Sequence, residues 1–356
     1  MSQYALREKA LRTTINEVAR IANVSISTVS HVINGTKPVN EDTRRRVEDA
    51  VKVSNYTPHQ LARSLRRGRT NTIGLVVSDT SQYVFGRIIT AIEHEIRVAG
   101  FNLLLANSGE DREREFRSVQ TFLDSSVDGM IIAPSANFDP RTLKACDDAG
   151  VSYVLIDRTP DALSDQVGTD DRLGMRALTK HLISGGHSNI ALIAGDVDVW
   201  TLRERAQAFR ETMADAGLTV DEDAILKTRR GLSEGTEEIE PFLRKRKRST
   251  AVIAASGLLT LGTLHAFQRL GVSVPHDFAF ASFDGLMNAE FFEPRLTAIL
   301  HPVDLIGREA TGLLLRRIAD PAAKPRTVKA KPVLDHGTSC GCAAGTQLTL
   351  GEALVA

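Results

Sequence analysis

The segment Thr14-Ile-Asn-Glu-Val-Ala-Arg-Ile-Ala-Asn-Val-Ser-Ile-Ser-Thr-Val-Ser-His-Val-Ile-Asn34 decides the reading of this chain. Thr14 followed three residues later by Glu17 has the form of a capping box. Ile15, Val18, Ala19 and Ala22 then recur at helical spacing, which predicts a first helix over 15–22. Ser25 is placed to cap a second helix in which Val29, Val32 and Ile33 point inward. That leaves Ile26, Ser27, Thr28 and His31 on its start and outer face. Asn40 is placed to cap a third helix, with Arg44, Arg45 and Arg46 at its surface and Val47, Ala50 and Val51 as its buried stripe. Two helices joined by a tight turn and braced by a third can present one helix to the major groove of double-stranded DNA.

The charge distribution carries the same inference. The chain is formally neutral, yet residues 1–70 hold 13 Lys/Arg against 6 Asp/Glu and the remaining 286 hold 31 against 38. A basic head on an acidic body suits a polyanionic partner. Within Asn55-Tyr-Thr-Pro-His-Gln-Leu-Ala-Arg-Ser-Leu-Arg-Arg-Gly-Arg69, Thr57 can cap, Pro58 suits the first helical position and Gly68 stops the turn. So short a helix is marginal in water and is expected to order only with DNA and a second copy present.

After Thr70 the pattern changes to β-branched runs alternating with amphipathic helices. The runs are Ile73–Val77, Asn102–Ala106, Gly129–Ala133, Tyr153–Asp157, Ile190–Ala194, Ala251–Ala255 and Ala279–Asp284. Strands separated by helices imply parallel, doubly wound α/β sheets, and the length of this part implies two lobes. Ligands of such sheets bind beyond the carboxyl ends of the strands, here in the crevice between lobes. The polar residues at those ends are Asp79 to Phe85, Asp157-Arg158, Asp196 to Arg205, Ser256 and Asp284.

From Thr14 to about Leu334 the chain resembles the lactose-repressor/galactose-repressor family of bacterial regulators, and its recognition segment is most similar to that of the purine-responsive branch. The resemblance implies a helix-turn-helix head and hinge helix followed by a two-lobed, periplasmic-binding-protein-like core. Residues 1–13 show little pattern and are expected to be a mobile extension; on the basis of the resemblance 14–57 are the head and 58–70 the hinge helix and linker. The N-terminal lobe is 71–168 plus 299–320, and the C-terminal lobe 169–298 plus 321–356, with crossings near Thr169, Ala298 and Asp320. It also assigns Ile26, Ser27 and His31 to base reading and Leu65 to a wedge between central base pairs. The residue types agree: Ser27 and His31 can hydrogen-bond to base edges, Ile26 offers apolar contact, and an inserted leucine unstacks a base step. Ser25, Asn34, Tyr56, Arg63, Arg66, Arg67 and Arg69 are assigned to phosphates.

Carried over in the same way, the effector contacts are Gln82, Tyr83, Phe85, Asp157, Thr201, Arg205, Ser256 and Asp284, with Leu232 nearby. Asp157, Asp284 and Arg205 suit vicinal hydroxyls, and the sole tryptophan, Trp200, could cover the apolar face of a sugar. Gln82-Tyr83-Val84-Phe85 replaces the common Asn-Pro-aromatic sequence, and Ser256-Gly257 replaces an Asn-Asp pair. Val199 stands where the purine-responsive branch has a ligand-facing arginine, so a purine effector does not follow. A sugar or sugar derivative is what the resemblance implies, from the frequency of such effectors in the family alone.

The function predicted is a homodimeric transcriptional repressor controlled by that small molecule. The alternatives are a same-fold regulator answering to a partner protein or another metabolite, and a sugar-binding transport protein. No nucleophile–base–orienter set is recognisable, so no enzyme and no cofactor is expected. No run of 18 apolar residues and no secretory leader occur, which points to the cytoplasm and away from the membrane. Cys340-Gly-Cys342 with nearby His336 is more compact than a zinc-finger spacing and is read as no metal site; the three cysteines fit a reducing compartment. The tail has too few leucine heptads for a tetramerising coiled coil, which leaves a dimer.

Overall fold

The computed structural model describes residues 14–34, 37–54, 56, 69–136, 138–158, 164–228, 232–246, 248–287 and 289–342, except the side chains of Asn34, Glu290 and residues 232–236. The chain forms two compact units, 1–70 and 71–356.

In the first unit, α1 (Ile15–Ala22), α2 (Ile26–Asn34) and α3 (Glu41–Val53) enclose Val18, Ala19, Ala22, Val29, Val47 and Ala50. Asn23 adopts the left-handed conformation, φ 52°, and Val24 N–H donates to the Ala19 carbonyl, which makes the turn into α2 tight. Ser25 Oγ accepts from Thr28 N at 3.1 Å and Asn40 Oδ1 from Asp42 N at 2.9 Å, so α2 and α3 are capped as their sequences predict. The capping box at α1 does not form. Thr14 occupies the cap position without a side-chain bond, and Glu17 turns instead towards Arg20 at 3.9 Å. This first turn is solvent-exposed, and water can serve its donors.

The second unit begins with β1 (Thr72–Val77), α4 (Tyr83–Val98), β2 (Asn102–Asn107), α5 (Arg112–Asp124), β3 (Gly129–Ile132), α6 (Pro140–Ala149), β4 (Ser152–Ile156) and β5 (Asp165–Thr169). It continues through α7 (Asp171–Ser184), β6 (Ile190–Ile193), α8 (Trp200–Asp215), β7 (Ile225–Leu226), α9 (Leu232–Lys245), β8 (Ala251–Ala254), α10 (Gly257–Leu270), β9 (Ala279–Phe283) and β10 (Thr297–Leu300). The remainder is α11 (Val303–Ala319), β11 (Thr327–Ala330) and β12 (Val333–Asp335). The sheet orders are β11-β5-β4-β3-β1-β2 and β12-β10-β9-β8-β6-β7, parallel except for β12 against β10. Helices cover both faces, so central strands such as Gly129–Ile132 and Ala251–Ala254 are buried throughout.

The chain passes between lobes at three places, two of which differ from the sequence expectation. Thr297–Ile299 pairs with Ala281–Phe283 of β9, so the second crossing falls at His301-Pro302, after residues 299–300 rather than before them. Thr327–Ala330 pairs in parallel with Gln166–Thr169, so residues 327–330 belong to the N-terminal sheet and the third crossing falls at Lys331-Pro332 rather than near Asp320. Asp165 holds this return in place. Its carboxylate accepts from Arg326 N at 2.8 Å, Arg316 Nη2 at 2.9 Å and Arg317 Nε at 2.8 Å.

Candidate functional site

On the head, Ser25, Ile26 and Ser27 are exposed at the start of α2, with Thr28 and His31 partly buried beside them. Ile26 is 50% exposed, whereas Val29, one turn on, is fully buried. The Ser25 hydroxyl lies 2.7 Å from that of Ser27 and 2.8 Å from that of Thr28, which fixes three short polar groups around Ile26. The positive end of the helix dipole lies at the same place and favours phosphate. Arg44, Arg45 and Arg46 are exposed on α3, and Arg69 is exposed after the head. Tyr56, read as a phosphate contact, packs against the head core. The Asn34 side chain, Arg63, Leu65, Arg66 and Arg67 lie outside the described residues.

In the body, the strand ends and crossings meet around Arg205, which α8 carries inward and leaves 3% exposed. Arg205 Nε donates to Asp171 Oδ1 at 2.7 Å and Nη1 to the Ala255 carbonyl at 2.8 Å; Nη1 also lies 3.3 Å from Asp284 Oδ1. The guanidinium carbon is 3.7 Å from the centre of the Phe283 ring. Asp284, at φ 72° after β9, accepts from Gly257 N at 3.2 Å, at the start of α10, and lies 2.5 Å from His301 Nε2. His301 Nδ1 is 2.5 Å from Thr169 Oγ1. Because Thr169 ends the N-terminal sheet and Asp284 the C-terminal one, His301 ties the lobes together at their crossings.

Two acids compete for one guanidinium here, and His301 decides between them. Burial pushes Asp171 up to about 6 against the pull of Arg205 and His301. Burial opposes the Asp284 charge as well, but Arg205, His301 and the Gly257 amide hold it well below the usual carboxylate range. Burial lowers His301, yet the Asp284 carboxylate outweighs burial and the net shift is upward. Asp157, at φ 63° after β4, adds a further negative charge that acts on Arg205 and His301. Neighbouring Arg158 is drawn away to Glu110, at 2.6 Å and 2.7 Å. Sequence reasoning missed Asp171 and His301; the only local signal was their place beside the crossings.

A cleft of about 1030 Å³ opens between α4 and the start of α10. Gln82 and Tyr83 line one wall, Leu258 and Leu261 the other, and Asp284 and Leu286 also face it. Of the expected contacts, Phe85, Asp157, Trp200, Thr201, Arg205 and Ser256 are not among its lining residues. With Ile88, Ile92 and Ile96, Phe85 forms the inward stripe of α4 and is buried in the N-terminal core, which corrects its reading as an effector contact. Trp200 opens α8, with the Arg203 guanidinium 4.9 Å from its ring centre. Thr201 is buried, and Ser256 caps α10 by accepting from Leu259 N at 3.3 Å. Leu232 opens α9, and its side chain lies outside the described residues. A guanidinium and carboxylates gathered at strand ends can form charge-assisted, bidentate bonds to hydroxyl-rich ligands.

A basic three-helix head joined to a two-lobed α/β body with a ligand-type cleft defines a DNA-binding transcriptional regulator. Residues 14–59 match bacterial regulatory proteins of the lacI family, and residues 179–340 match the periplasmic binding protein-like domain. The HTH-type transcriptional repressor PurR of Vibrio cholerae serotype O1 (strain M66-2) is 33% identical over 322 residues, 90% of this chain and 95% of that protein. Among solved structures, the transcriptional regulator CelR in complex with cellobiose is 31% identical with TM-score 0.69, covering 92% of this chain and 100% of that one. The Lac repressor dimer bound to operator and the anti-inducer ONPF shares the fold at TM-score 0.81 and 24% identity, covering 92% and 99%. The chain belongs to the lacI family of bacterial regulatory proteins. Among the described residues, no helix is long and apolar enough to cross a membrane.

Proposed function

We propose that this chain is a cytoplasmic, homodimeric repressor that reads two half-sites of a pseudo-palindromic operator and whose operator affinity answers to a sugar or sugar derivative bound at the lobe crossings. The observation that carries the reading is the Arg205–Asp284–His301–Thr169 chain: one charged cluster joins the end of one sheet to the end of the other beside an open cleft. A ligand that exchanges hydrogen bonds with Asp284 or Arg205 changes the relative stability of lobe arrangements, and only such differential binding can shift operator affinity. The similarity to the cellobiose-bound regulator supports a carbohydrate. A second copy is supported by β2, an edge strand that leaves Leu104 and Leu105 38% and 48% exposed. In the head, Ile26, Ser27, Thr28 and His31 face the major groove, and Ser25 meets a phosphate. Leu65, with Arg63 and Arg66, is assigned by resemblance to the minor groove and phosphates.

The test is thermal melting of the purified protein against sugars, sugar phosphates, polyols and purines. A ligand at 100 times its dissociation constant adds roughly 2.7 kcal/mol. A hit is followed by operator titration with and without the ligand, where the coupling expected is about 1–3 kcal/mol. Stabilisation by purines alone would replace the carbohydrate reading, and no hit across the panel would favour a protein partner as the signal.

A further inference from the structure

The last turn of α7 and the segment after β12 bring together two histidines and two cysteines that the regulatory reading does not use. Cys340 Sγ lies 3.4 Å from His336 Nε2, and Cys342 Sγ lies 3.6 Å from His181 Nε2. One donor atom from each of the four lies within 4.8 Å of all the others. The two imidazoles meet edge to face with centres 5.1 Å apart. His181 is 3% and Cys340 1% exposed, and His181 Nδ1 has no hydrogen-bond partner.

We propose that His181, His336, Cys340 and Cys342 form a Cys2His2 site for Zn2+. A tetrahedral zinc ion with its usual bond lengths to sulfur and imidazole nitrogen has a sulfur-to-nitrogen edge of about 3.6 Å. The two thiol–imidazole pairs, at 3.4 Å and 3.6 Å, already stand close to that separation. Two thiols and two imidazoles are the donor set that favours zinc over magnesium or calcium, which prefer oxygen. Binding releases both thiol protons to solvent, and the resulting Zn2+ with two thiolates and two neutral imidazoles carries no net charge. A neutral centre suits a site this buried.

The backbone holding three of the ligands is fixed before any ion arrives. Thr297 Oγ1 donates to the Gly337 carbonyl at 2.9 Å and accepts from Gly337 N at 3.1 Å. Ser339 Oγ donates to the Phe280 carbonyl at 2.7 Å and accepts from Thr297 N at 2.9 Å. At Gly337 a Cβ would overlap the Arg295 carbonyl oxygen, so the segment passes closer to the sheet than any side chain allows. Such outer contacts orient ligands and lower the ordering cost of metal capture. Four protein ligands leave no open coordination position, so the ion is structural, and it ties the segment after β12 to α7.

The full-length, tag-free, reduced protein is dialysed against metal-free buffer, and its zinc is counted by plasma mass spectrometry. It is then loaded with Co2+ as a spectroscopic substitute. One zinc per chain is expected, with tetrahedral cobalt bands and a thiolate-to-cobalt charge-transfer band. Loss of an outer-sphere partner alone weakens metal sites by about 10–100-fold, so Cys342→Ser and His336→Asn should each lower zinc affinity by at least roughly 100-fold. A wild-type chain that retains no zinc and gives no thiolate band overturns the proposal, and this result does not depend on any variant folding. Zinc binding unchanged in the Cys340→Ser/Cys342→Ser double variant also overturns it, as does a Cys340–Cys342 disulfide in place of the metal when thiols are counted in the freshly isolated protein.

Discussion

At the scale of single residues, the strongest constraint falls on Arg205, whose single positive charge is shared by two buried carboxylates, Asp171 and Asp284. Replacing it with methionine keeps the bulk against Phe283 but leaves Asp171 and Asp284 without their guanidinium. Removing one partner of a buried ion pair costs about 3–5 kcal/mol. Arg205→Met is therefore expected to lower stability in urea denaturation by that order and to abolish the effector response. A variant with unchanged denaturation would place the charge balance elsewhere. Ile26 is the opposite case, since it is half exposed and contributes nothing to the head core. Ile26→Ala should weaken operator binding by about 1 kcal/mol in an anisotropy titration, the scale of burying one methylene group, with the melting temperature unchanged. A fall in melting temperature with operator affinity intact would make Ile26 a packing residue.

At the scale of elements, α3 begins at an asparagine whose side chain closes its first turn, so Asn40→Ala should cost about 1 kcal/mol, read as a lower melting temperature of the head. The element also shows what made much of the fold legible. Caps and apolar periodicity are local, and so are the short, mostly apolar runs that became β1, β2, β3, β4, β6, β8 and β9, each within a residue of its expected ends. The strands that escaped notice are short or polar: β5 reads Asp-Gln-Val-Gly-Thr and β11 Thr-Val-Lys-Ala. They are strands because distant partners pair with them, which no local pattern records. For the same reason the second and third crossings were misplaced, and Asp171 and His301 were overlooked. The sequence reads no metal site at Cys340-Gly-Cys342 with nearby His336, whose spacing is more compact than that of a zinc finger; His181, which the fold brings beside them, lies 161 positions from Cys342. Phe85 failed for a different reason: the family position was transferred without asking which face of α4 it occupied.

At the scale of the whole molecule, the lobes are joined at their crossings by a titratable link, and its sign can be worked out. His301 faces Asp284, Thr169, Asp157, Arg205 and the edge of Phe283, and its net shift is upward from 6.5 because the Asp284 carboxylate outweighs burial and the repulsion of Arg205. A histidine whose folded pKa exceeds its unfolded value contributes stability that is complete below about 6.5 and is lost as pH rises through the folded value. His301→Gln keeps an amide donor towards Asp284 but cannot titrate. The stability difference between wild type and His301→Gln should therefore be largest near pH 6 and shrink as pH rises from neutral into the alkaline range. Taking the difference removes the contributions of groups that titrate alike in both proteins, Asp171 among them to the extent that the glutamine leaves its surroundings unchanged. A gap that widened with pH would mean that His301 is neutral in the folded protein and that Asp284 owes its charge to Arg205 and the Gly257 amide. In the expected case, a ligand that takes over the Asp284 carboxylate also releases the His301 proton. Effector affinity should then rise with pH over the same window, which titration of any hit from the ligand panel at pH 6.5 and 8.5 would measure directly.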